Sequence, residues 1–416
     1  RAQGAPSLRY WVHLVAPGWN VIGGGEPVLP GVSIGHNEHG TWGLTVFGQD
    51  NEDLYVYDTN PDNQDEYRYL GRWEPMSVIE ETVPVRDEAP ATVKLKYTRH
   101  GPVLYEDPEN HKAYALRAAW LDYGSAPYLA SLRMDQARTW EEFREACEYS
   151  RIPSENMVWA DREKNIGYQA VGVSPIRPRH SGLVPVPGDG RYEWDGYLPI
   201  QALPNVANPE KGYYGTANNY TVPDGYEFWD ALHYTWGDQM RVARVEEMLD
   251  AGRHMTVADM MQFQHDDLTV AGRNIVPLLR EVRIDDPEVA ALRDRLLDWD
   301  YVLDKDSVEA AIYVSFERRL RNNVREIVVP DEARDVVRGL NMKRLIDWLV
   351  APDGRFGDVP VQGRDAVLAT SLSEARADLI ERLGSNPAHW QYGQANFKHA
   401  LIRHPMTAAV SPDVRR

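Results

Sequence analysis

Three short segments of this chain place glycine and polar side chains between apolar flanks, a composition that can support chemistry. They are residues 31–37 (GVSIGHN), residues 41–53 (TWGLTVFGQDNED) and residues 216–219 (TANN). Main-chain N–H groups and side-chain amides in such segments can point into a cleft and stabilise negative charge on a carbonyl oxygen. The same compositions also form ordinary tight turns, so the residue types alone leave both interpretations open.

Two other patterns do not match a known catalytic motif. His36 and His39 have an H-x-x-H spacing, but the intervening Asn-Glu followed by Gly40 is not the H-E-x-x-H helix of a zinc protease. The triple glycine at 23–25 does not precede a helix as a phosphate-binding loop must. We therefore discount a zinc site at His36 and His39 and expect an ordinary turn at the triple glycine.

Composition limits the classes of partner. The chain has 416 residues, of which 43% are hydrophobic, which is enough for one large domain or two ordinary ones. A formal charge of -18 would repel the phosphates of nucleic acid and of anionic lipid, and no apolar run is long enough to cross a bilayer. The single cysteine, Cys147, allows no internal disulfide and excludes zinc sites with two or more cysteine ligands.

Hydrophobic spacing predicts strands in the first half of the chain and helices in the second. Alternation indicates half-buried strands at Leu8, Tyr10, Val12 and Leu14 and again at Val93, Leu95 and Tyr97. An N-cap followed by helical spacing predicts helices at Thr139 with Trp140, Phe143 and Cys147, and at Thr256 with residues 257–263. Helical spacing also predicts a helix ending at Gly252 and another through Val289, Leu292, Leu296 and Trp299.

These elements predict an α+β fold, with mixed sheet and flanking helices. We place a β-rich part at residues 1–243 and a mostly helical part at residues 244–416. Between Pro175 and Pro209 the sequence predicts a long, ordered connection that is held in place by Tyr192, Trp194 and Tyr197.

Several motifs recur in a characteristic order: residues 5–8 (APSL), Gly31, residues 35–37 (GHN), Trp42-Gly43, Asp50, Asp53, residues 98–102 (TRHGP), Ala160-Asp161, residues 165–168 (NIGY), residues 185–188 (PVPG), Asn218-Asn219 and Arg241. In this order and approximate spacing they resemble the catalytic subunit of the penicillin acylase family. In the helical half the resemblance is weaker and rests on residues 297–300 (LDWD) and 403–405 (RHP).

The resemblance implies an N-terminal-nucleophile hydrolase, an αββα-type sandwich that here is incomplete at both ends and has a helical C-terminal half. In that family autoproteolysis frees a serine whose own α-amine, with a pKa of about 7.7, accepts the hydroxyl proton. The serine attacks an amide carbonyl and forms an acyl-enzyme that water then hydrolyses. The resemblance places this serine upstream of Arg1, so we expect the present chain alone to be inactive.

The resemblance also assigns roles to individual residues. The main-chain N–H of Val46 and the side-chain amide of Asn218 match the two donors to the oxyanion. Arg241 matches the arginine that orients the site, although it could equally be a surface arginine that starts a helix. Ile34 and Leu44 match the lining of the acyl pocket, which should be apolar but does not name the acyl chain.

A calcium site is a further implication of the resemblance. Asp50, Asp53 and Asp230 match its carboxylate ligands, and Glu52 and Gly182 stand where main-chain carbonyls contribute. The family's site also takes an acid from the other subunit. The alternative is that these acidic turns are only solvated. No organic cofactor is expected.

The implied substrate is a small molecule with an N-acyl amide: a penicillin, another lactam, an acyl-homoserine lactone and a lipopeptide all stay open. The family also implies a smaller alpha subunit cut from the same precursor and export to the periplasm or outside. Two alternatives remain at this point. The 13 Trp and many acids could build the sugar cleft of a glycoside hydrolase, or the chain could be a noncatalytic ligand-binding relic.

Overall fold

The computed structural model describes residues 3–4, 7, 9–26, 29–252, 254–398 and 402–403. They form two compact units, of which one spans Leu8–Gly237 and the other combines Arg1–Ser7 with Asp238–Arg416. The sequence-based division at residue 243 places the first residues in the β-rich part. Residues 3–4 pair in parallel with residues 402–403, and the sequence-based division stays a prediction. Leu8 and residues 5–6 and 404–405, which carry part of the predictions above, lie outside the described residues.

In the described part of the chain the strands are β1 (Gln3–Gly4), β2 (Tyr10–Ala16), β3 (Trp19–Gly25), β4 (Ile34–His36), β5 (Gly40–Val46), β6 (Glu52–Asn60), β7 (Asn63–Tyr69), β8 (Arg72–Pro75), β9 (Ser77–Val83), β10 (Ala91–Thr98), β11 (Gly101–Asp107), β12 (Lys112–Ala118), β13 (Glu155–Asp161), β14 (Ile166–Val171), β15 (Val186–Pro187), β16 (Asn205–Ala207) and β17 (Ile402–Arg403).

The α-helices are α1 (Ser131–Met134), α2 (Trp140–Cys147), α3 (Met240–Ala251), α4 (Val257–Phe263), α5 (Val270–Ile275), α6 (Pro287–Leu297), α7 (Val308–Val328), α8 (Met342–Val350) and α9 (Pro360–Leu383). Short 3₁₀ helices lie at Ala119–Leu121, Ile200–Ala202, Trp229–Ala231, Val276–Glu281, Asp331–Ala333, Gly354–Phe356 and Pro387–His389.

One sheet of the β-rich unit has seven strands in the order β16-β14-β13-β5-β4-β3-β2, and every neighbouring pair in it is antiparallel. Its core includes Trp42 and Trp159, whose stacked rings have centroids 6.2 Å apart. Phe143 of α2 packs 4.9 Å from the Trp159 ring. The predicted strand through Tyr10, Val12 and Leu14 is confirmed as β2.

Helix α2 begins where the sequence predicts, because the Thr139 side chain accepts a hydrogen bond from the main-chain N–H of Glu142 at 3.3 Å. Its residues Trp140, Phe143 and Cys147 are buried, as the helical spacing predicts. The Cys147 thiol is fully buried, and this burial raises its pKa, so the residue belongs to the core of this unit.

The second sheet follows the order β8-β7-β6-β12-β11-β10-β9, and β15 adds to β6 in parallel. Predicted strand residues Val93, Leu95 and Tyr97 lie in β10. The connection from Pro175 to Pro209 is anchored as predicted. The Tyr55 hydroxyl donates to the carbonyl of Tyr192 at 2.6 Å, and the Trp194 indole donates to Asp53.

The helical unit has its own core, built from α5 to α9 and the segments between them. Helix α7 buries Ile312, Phe316, Leu320 and Val324, which recur every fourth residue along one face, and it packs along α9. The predicted cap at Thr256 is confirmed as a capping box with Asp259. Among the described helices, none is both long and apolar enough to cross a membrane.

Candidate active site

Val46 is the last residue of β5, and its main chain faces away from the neighbouring strand β13. The N–H of Phe47 donates to the Ser154 carbonyl at 3.0 Å, which makes Val46 and Glu155 a non-hydrogen-bonded pair of the antiparallel ladder. On the other side, β4 pairs with β5 only at Thr41 and Trp42. The N–H and C=O of Val46 therefore point to a part of the strand edge that β4 does not pair, and Val46 is 59% exposed.

Asn218 lies at this same edge. Its side-chain Nδ2 donates to the Val46 carbonyl oxygen at 3.1 Å. Within one strand residue the N–H and C=O point to the same side, so the Asn218 amide and the Val46 N–H converge on one region. The structure thus brings the two predicted oxyanion donors together.

The position of Asn218 is fixed by contacts that the sequence did not reveal. The Thr45 and Thr216 hydroxyls lie 2.7 Å apart and tie the 216–219 segment to β5. The N–H of Gly237 donates to the Asn218 carbonyl at 3.1 Å, and a Cβ at residue 237 would lie 2.3 Å from that oxygen. Asn218 itself has a φ of 62°, a left-handed conformation that asparagine tolerates better than most residues.

The Val46 carbonyl also accepts from a buried asparagine of β13. Asn156 Nδ2 lies 3.1 Å from the Val46 oxygen and 3.1 Å from the Thr45 hydroxyl. Tyr168 in turn donates to Asn156 Oδ1 at 2.8 Å. These contacts hold the end of β5 rigidly, which is what preorganised donors require.

Both predicted acyl-pocket residues line one cavity of about 200 Å³. Ile34 and Leu44 contribute apolar surface to it, together with Tyr10 and Trp11. Leu44 precedes Val46 by two residues on β5, so the two residues face the same side of the sheet, about 7 Å apart along the strand. The cavity therefore opens beside the converging donors.

A separate buried cluster surrounds Asp53, which is 4% exposed. Asp53 Oδ2 accepts from Arg177 Nε at 2.8 Å, from His180 Nε2 at 2.9 Å and from the Trp194 indole at 2.5 Å. Arg177 also donates to the main-chain oxygen of Asp50 at 3.0 Å. Burial raises the pKa of the Asp50 carboxyl, and the Arg177 charge partly offsets this.

The predicted calcium ligands are partly gathered here. The Cβ position of Gly182 is 2.6 Å from Asp50 Oδ2, so the 182 main chain passes directly beside that carboxylate. Asp53 Oδ1 is buried and has no hydrogen-bond partner among the described residues. Asp230 lies in the turn before Leu232, whose carbonyl accepts from the Asp50 N–H at 2.6 Å.

The cluster is short of carboxylates. The Glu52 side chain accepts from the Trp120 indole through Oε1, and the role predicted for Glu52 uses its main-chain carbonyl. In the described ranges of the chain, no group of three or more His, Cys, Asp and Glu side chains is arranged to hold a metal. The sequence did not predict Arg177 and His180, although a connection as long as residues 175–209 is itself a signal of function.

Arg241 belongs to the helical unit. It is the second residue of α3, and it is exposed. Its predicted role in orienting the site stays a prediction.

This architecture is similar to that of a solved structure of thermostable penicillin G acylase from Alcaligenes faecalis. The TM-score is 0.78 and the sequence identity is 27%, over 97% of this chain and 80% of that chain. The fold is thus that of the N-terminal-nucleophile hydrolases, which confirms the predicted fold class.

The chain belongs to the penicillin amidase family, whose model matches residues 1–415. It is similar to acyl-homoserine lactone acylase QuiP of Pseudomonas aeruginosa, with 30% identity over 94% of this chain and 50% of that protein. It is also similar to penicillin acylase 2 proenzyme of Pseudomonas sp. (strain SE83), with 30% identity over 99% of this chain and 54% of that protein. A third relative is penicillin G acylase of Escherichia coli, with 31% identity over 61% of this chain and 30% of that protein. The chain spans about half the length of the first two curated relatives and less of the third.

Proposed function

We propose that this chain is part of an amide hydrolase that removes an N-acyl group from a small molecule through a serine acyl-enzyme. The observation that carries the proposal is the convergence of the Val46 main chain and the Asn218 amide, joined at 3.1 Å, beside an apolar cavity. Family membership supports amide hydrolysis over the glycoside hydrolase and noncatalytic alternatives.

In the proposed mechanism the hydroxyl oxygen of the serine bonds to the amide carbon, and its proton passes to the serine's own α-amine. The carbonyl electron pair moves onto oxygen, where the Val46 N–H and Asn218 Nδ2 stabilise the negative charge. The C–N bond then breaks, the amine leaves with the proton, and water hydrolyses the acyl-enzyme by the same route. The serine lies outside the 416 residues in this proposal, so the chain alone does not turn over.

The acyl group occupies the cavity lined by Ile34 and Leu44, where apolar contacts are worth only about 1–3 kcal/mol per methylene. Such contacts select for the size of the acyl group and do not distinguish whether the leaving amine is that of a lactam or of a homoserine lactone. We further propose that a smaller alpha subunit from the same precursor completes the enzyme, in the periplasm or outside the cell. The word proenzyme in a relative's name is consistent with such processing.

Calcium binding forms a second part of the proposal. The residues fit the ion in one respect: Asp53 Oδ1 is buried without a hydrogen-bond partner in the described structure, beside the Asp50 carboxylate. Calcium prefers such oxygen ligands, and carbonyls of Glu52 and Gly182 with the carboxylate of Asp230 would complete the set. The ion would stabilise the fold and takes no part in the reaction. Calcium titration should raise the thermal unfolding temperature, and the Asp53→Asn variant should lose this response.

The proposed function is tested with the full-length precursor. Mass spectrometry should detect self-cleavage before a serine, and phenylmethylsulfonyl fluoride should then label the new amino terminus. The labelled protein should lose its activity on N-acyl amides. An uncleaved, unlabelled protein without amidase activity would reject the proposal.

A further inference from the structure

The lining of the cavity beside Leu44 includes polar as well as apolar side chains. Arg9, Glu26 and Tyr128 line the cavity, while Ile34 and Leu44 supply apolar surface. An apolar acyl chain offers no hydrogen-bond donor to a carboxylate in its pocket, and burying an unpaired carboxylate is costly. The Glu26 carboxylate in this lining therefore needs its own explanation.

Glu26 is only half satisfied. Its Oε1 pairs with the Arg9 guanidinium at 2.7 Å, and the Glu26 side chain is 16% exposed. Its Oε2 is buried and has no hydrogen-bond partner in the part of the chain that the structure describes. This oxygen is an acceptor in need of a donor.

Within the described residues the Glu155 carboxyl, like that of Glu26, has one oxygen with a partner and one without. The Tyr128 hydroxyl donates to its Oε1 at 3.4 Å, and its Oε2 is buried without a partner among residues 9–26, 29–252 and 254–398. Glu155 is only 3% exposed. The pKa of its carboxyl is raised to about 7, mainly by burial and also by the nearby Glu26, while the Tyr128 hydrogen bond and the Arg9 charge act in the opposite direction. Glu26, Arg9, Tyr128 and Glu155 thus form one electrostatic cluster.

The cluster lies near the reacting carbonyl of the proposed mechanism. Glu155 is paired directly with Val46 across β13 and β5. Residues opposite one another in an antiparallel pair face the same side of the sheet, with Cβ atoms about 5 Å apart. A substrate group that binds Glu155 would therefore be only a few bonds away from the substrate carbonyl carbon, whose oxygen accepts from the Val46 N–H in the proposed mechanism.

We propose, on the basis of the amide hydrolase function above, that the preferred substrate carries an α-aminoacyl group. Its ammonium donates to the unpaired oxygens of Glu26 and Glu155, and its apolar side chain packs on Ile34 and Leu44. The Glu26 and Glu155 carboxyls outnumber the Arg9 guanidinium, and a bound ammonium would favour the ionised form of Glu155, whose charge then balances it. The proximity of Glu155 to Val46 places that ammonium on the α-carbon of the acyl group.

The test compares two amides that differ only in the α-ammonium, phenylglycyl-p-nitroanilide and phenylacetyl-p-nitroanilide, in the full-length enzyme at pH 7. We expect kcat/KM to favour the phenylglycyl amide, and Glu26→Gln and Glu155→Gln each to lower this preference by about 10-fold or more. The matched control is Glu88→Gln, which removes the same charge from an exposed residue and should leave the preference unchanged. Both substrates are compared on one folded variant, so a loss of stability does not imitate the effect.

Binding of the free acids separates this proposal from the one on which it rests. If neither amide is hydrolysed, amide hydrolysis fails as the function, and calorimetry with phenylglycine and phenylacetate still tests the pocket. Tighter binding of phenylglycine that weakens in Glu26→Gln and Glu155→Gln supports the inference. Equal binding of the two acids, no binding, or a preference that both variants retain would overturn it.

Discussion

The Asn218 side-chain amide donates to the Val46 carbonyl at 3.1 Å, although 172 residues separate the two in the sequence. Val46 ends a central strand, and Asn218 lies in an irregular segment with a left-handed backbone. Their contact joins the end of a strand and an irregular segment at the proposed oxyanion site.

Replacing Asn218 with alanine should lower kcat for N-acyl amides by about 100-fold or more, because one oxyanion donor is lost. Folding should be largely intact, since residue 218 is not part of the buried core. Steady-state kinetics of the full-length enzyme and its thermal unfolding temperature measure the two effects. Asn110→Ala changes an exposed asparagine and serves as the control. Unchanged turnover in Asn218→Ala would remove Asn218 from this role.

Gly237→Ala should disturb the same site indirectly. The new Cβ would lie 2.3 Å from the Asn218 carbonyl oxygen, a distance that forces the main chain to move. A displacement of about 1 Å in a catalytic donor can cost on the order of 100-fold in rate. We expect kcat to fall in Gly237→Ala but not in Gly339→Ala, where the new Cβ meets open space. Equal activity in the two variants would show that residue 237 does not position Asn218.

The Asp135 carboxyl should make stability depend on pH. Asp135 is 2% exposed and accepts from the Val32 N–H at 3.0 Å. Burial raises its pKa from an ordinary value of 3.8 to about 7. The folded state therefore binds more protons than the unfolded state between these values, and its stability falls as the pH rises from about 4 to 7.

Asp135→Asn replaces the titratable carboxyl with an amide that does not ionise, and the amide oxygen still accepts from the Val32 N–H. We expect the variant to gain stability over the wild-type protein as the pH is raised from 5 to 8, at no more than about 1.4 kcal/mol per pH unit. Urea unfolding at both pH values measures the difference. The exposed control Asp62→Asn should show no such trend. A pH-independent difference for Asp135→Asn would contradict the assignment.

The Arg177–Asp53 pair should be important for stability. Both side chains are almost fully buried, at 3% and 2% exposure, and Nε and Oδ2 lie 2.8 Å apart. Arg177→Met leaves the Asp53 charge without its cation, at a cost of about 3–5 kcal/mol in the free energy of unfolding. Arg191→Met breaks an exposed pair with Asp189 and should change urea unfolding little. Similar losses in the two variants would mean that the buried pair contributes no more to the free energy of unfolding than the exposed pair.

The sequence predicts well those features whose cause is local. The caps at Thr139 and Thr256 and the alternation through Tyr10, Val12 and Leu14 appear in the structure as predicted, because neighbouring residues decide them. The paired placement of Val46 and Asn218 followed from family resemblance and not from spacing.

Other features depend on partners that are remote in sequence. Arg177 reaches Asp53 across 124 residues, and Glu155 faces Val46 only because of the register of β5 and β13. No local pattern encodes either contact. The polar side chains in the lining of the acyl cavity could not be predicted for the same reason, since they come from separate segments around Arg9, Glu26 and Tyr128.

The most direct test of the oxyanion site is a crystal structure of the full-length enzyme with its serine trapped as a tetrahedral boronate adduct. One adduct oxygen should lie 2.7–3.1 Å from both the Val46 main-chain nitrogen and Asn218 Nδ2, the range expected for oxyanion donors. An adduct whose oxygens are all held by other donors, or face only solvent, would contradict the account.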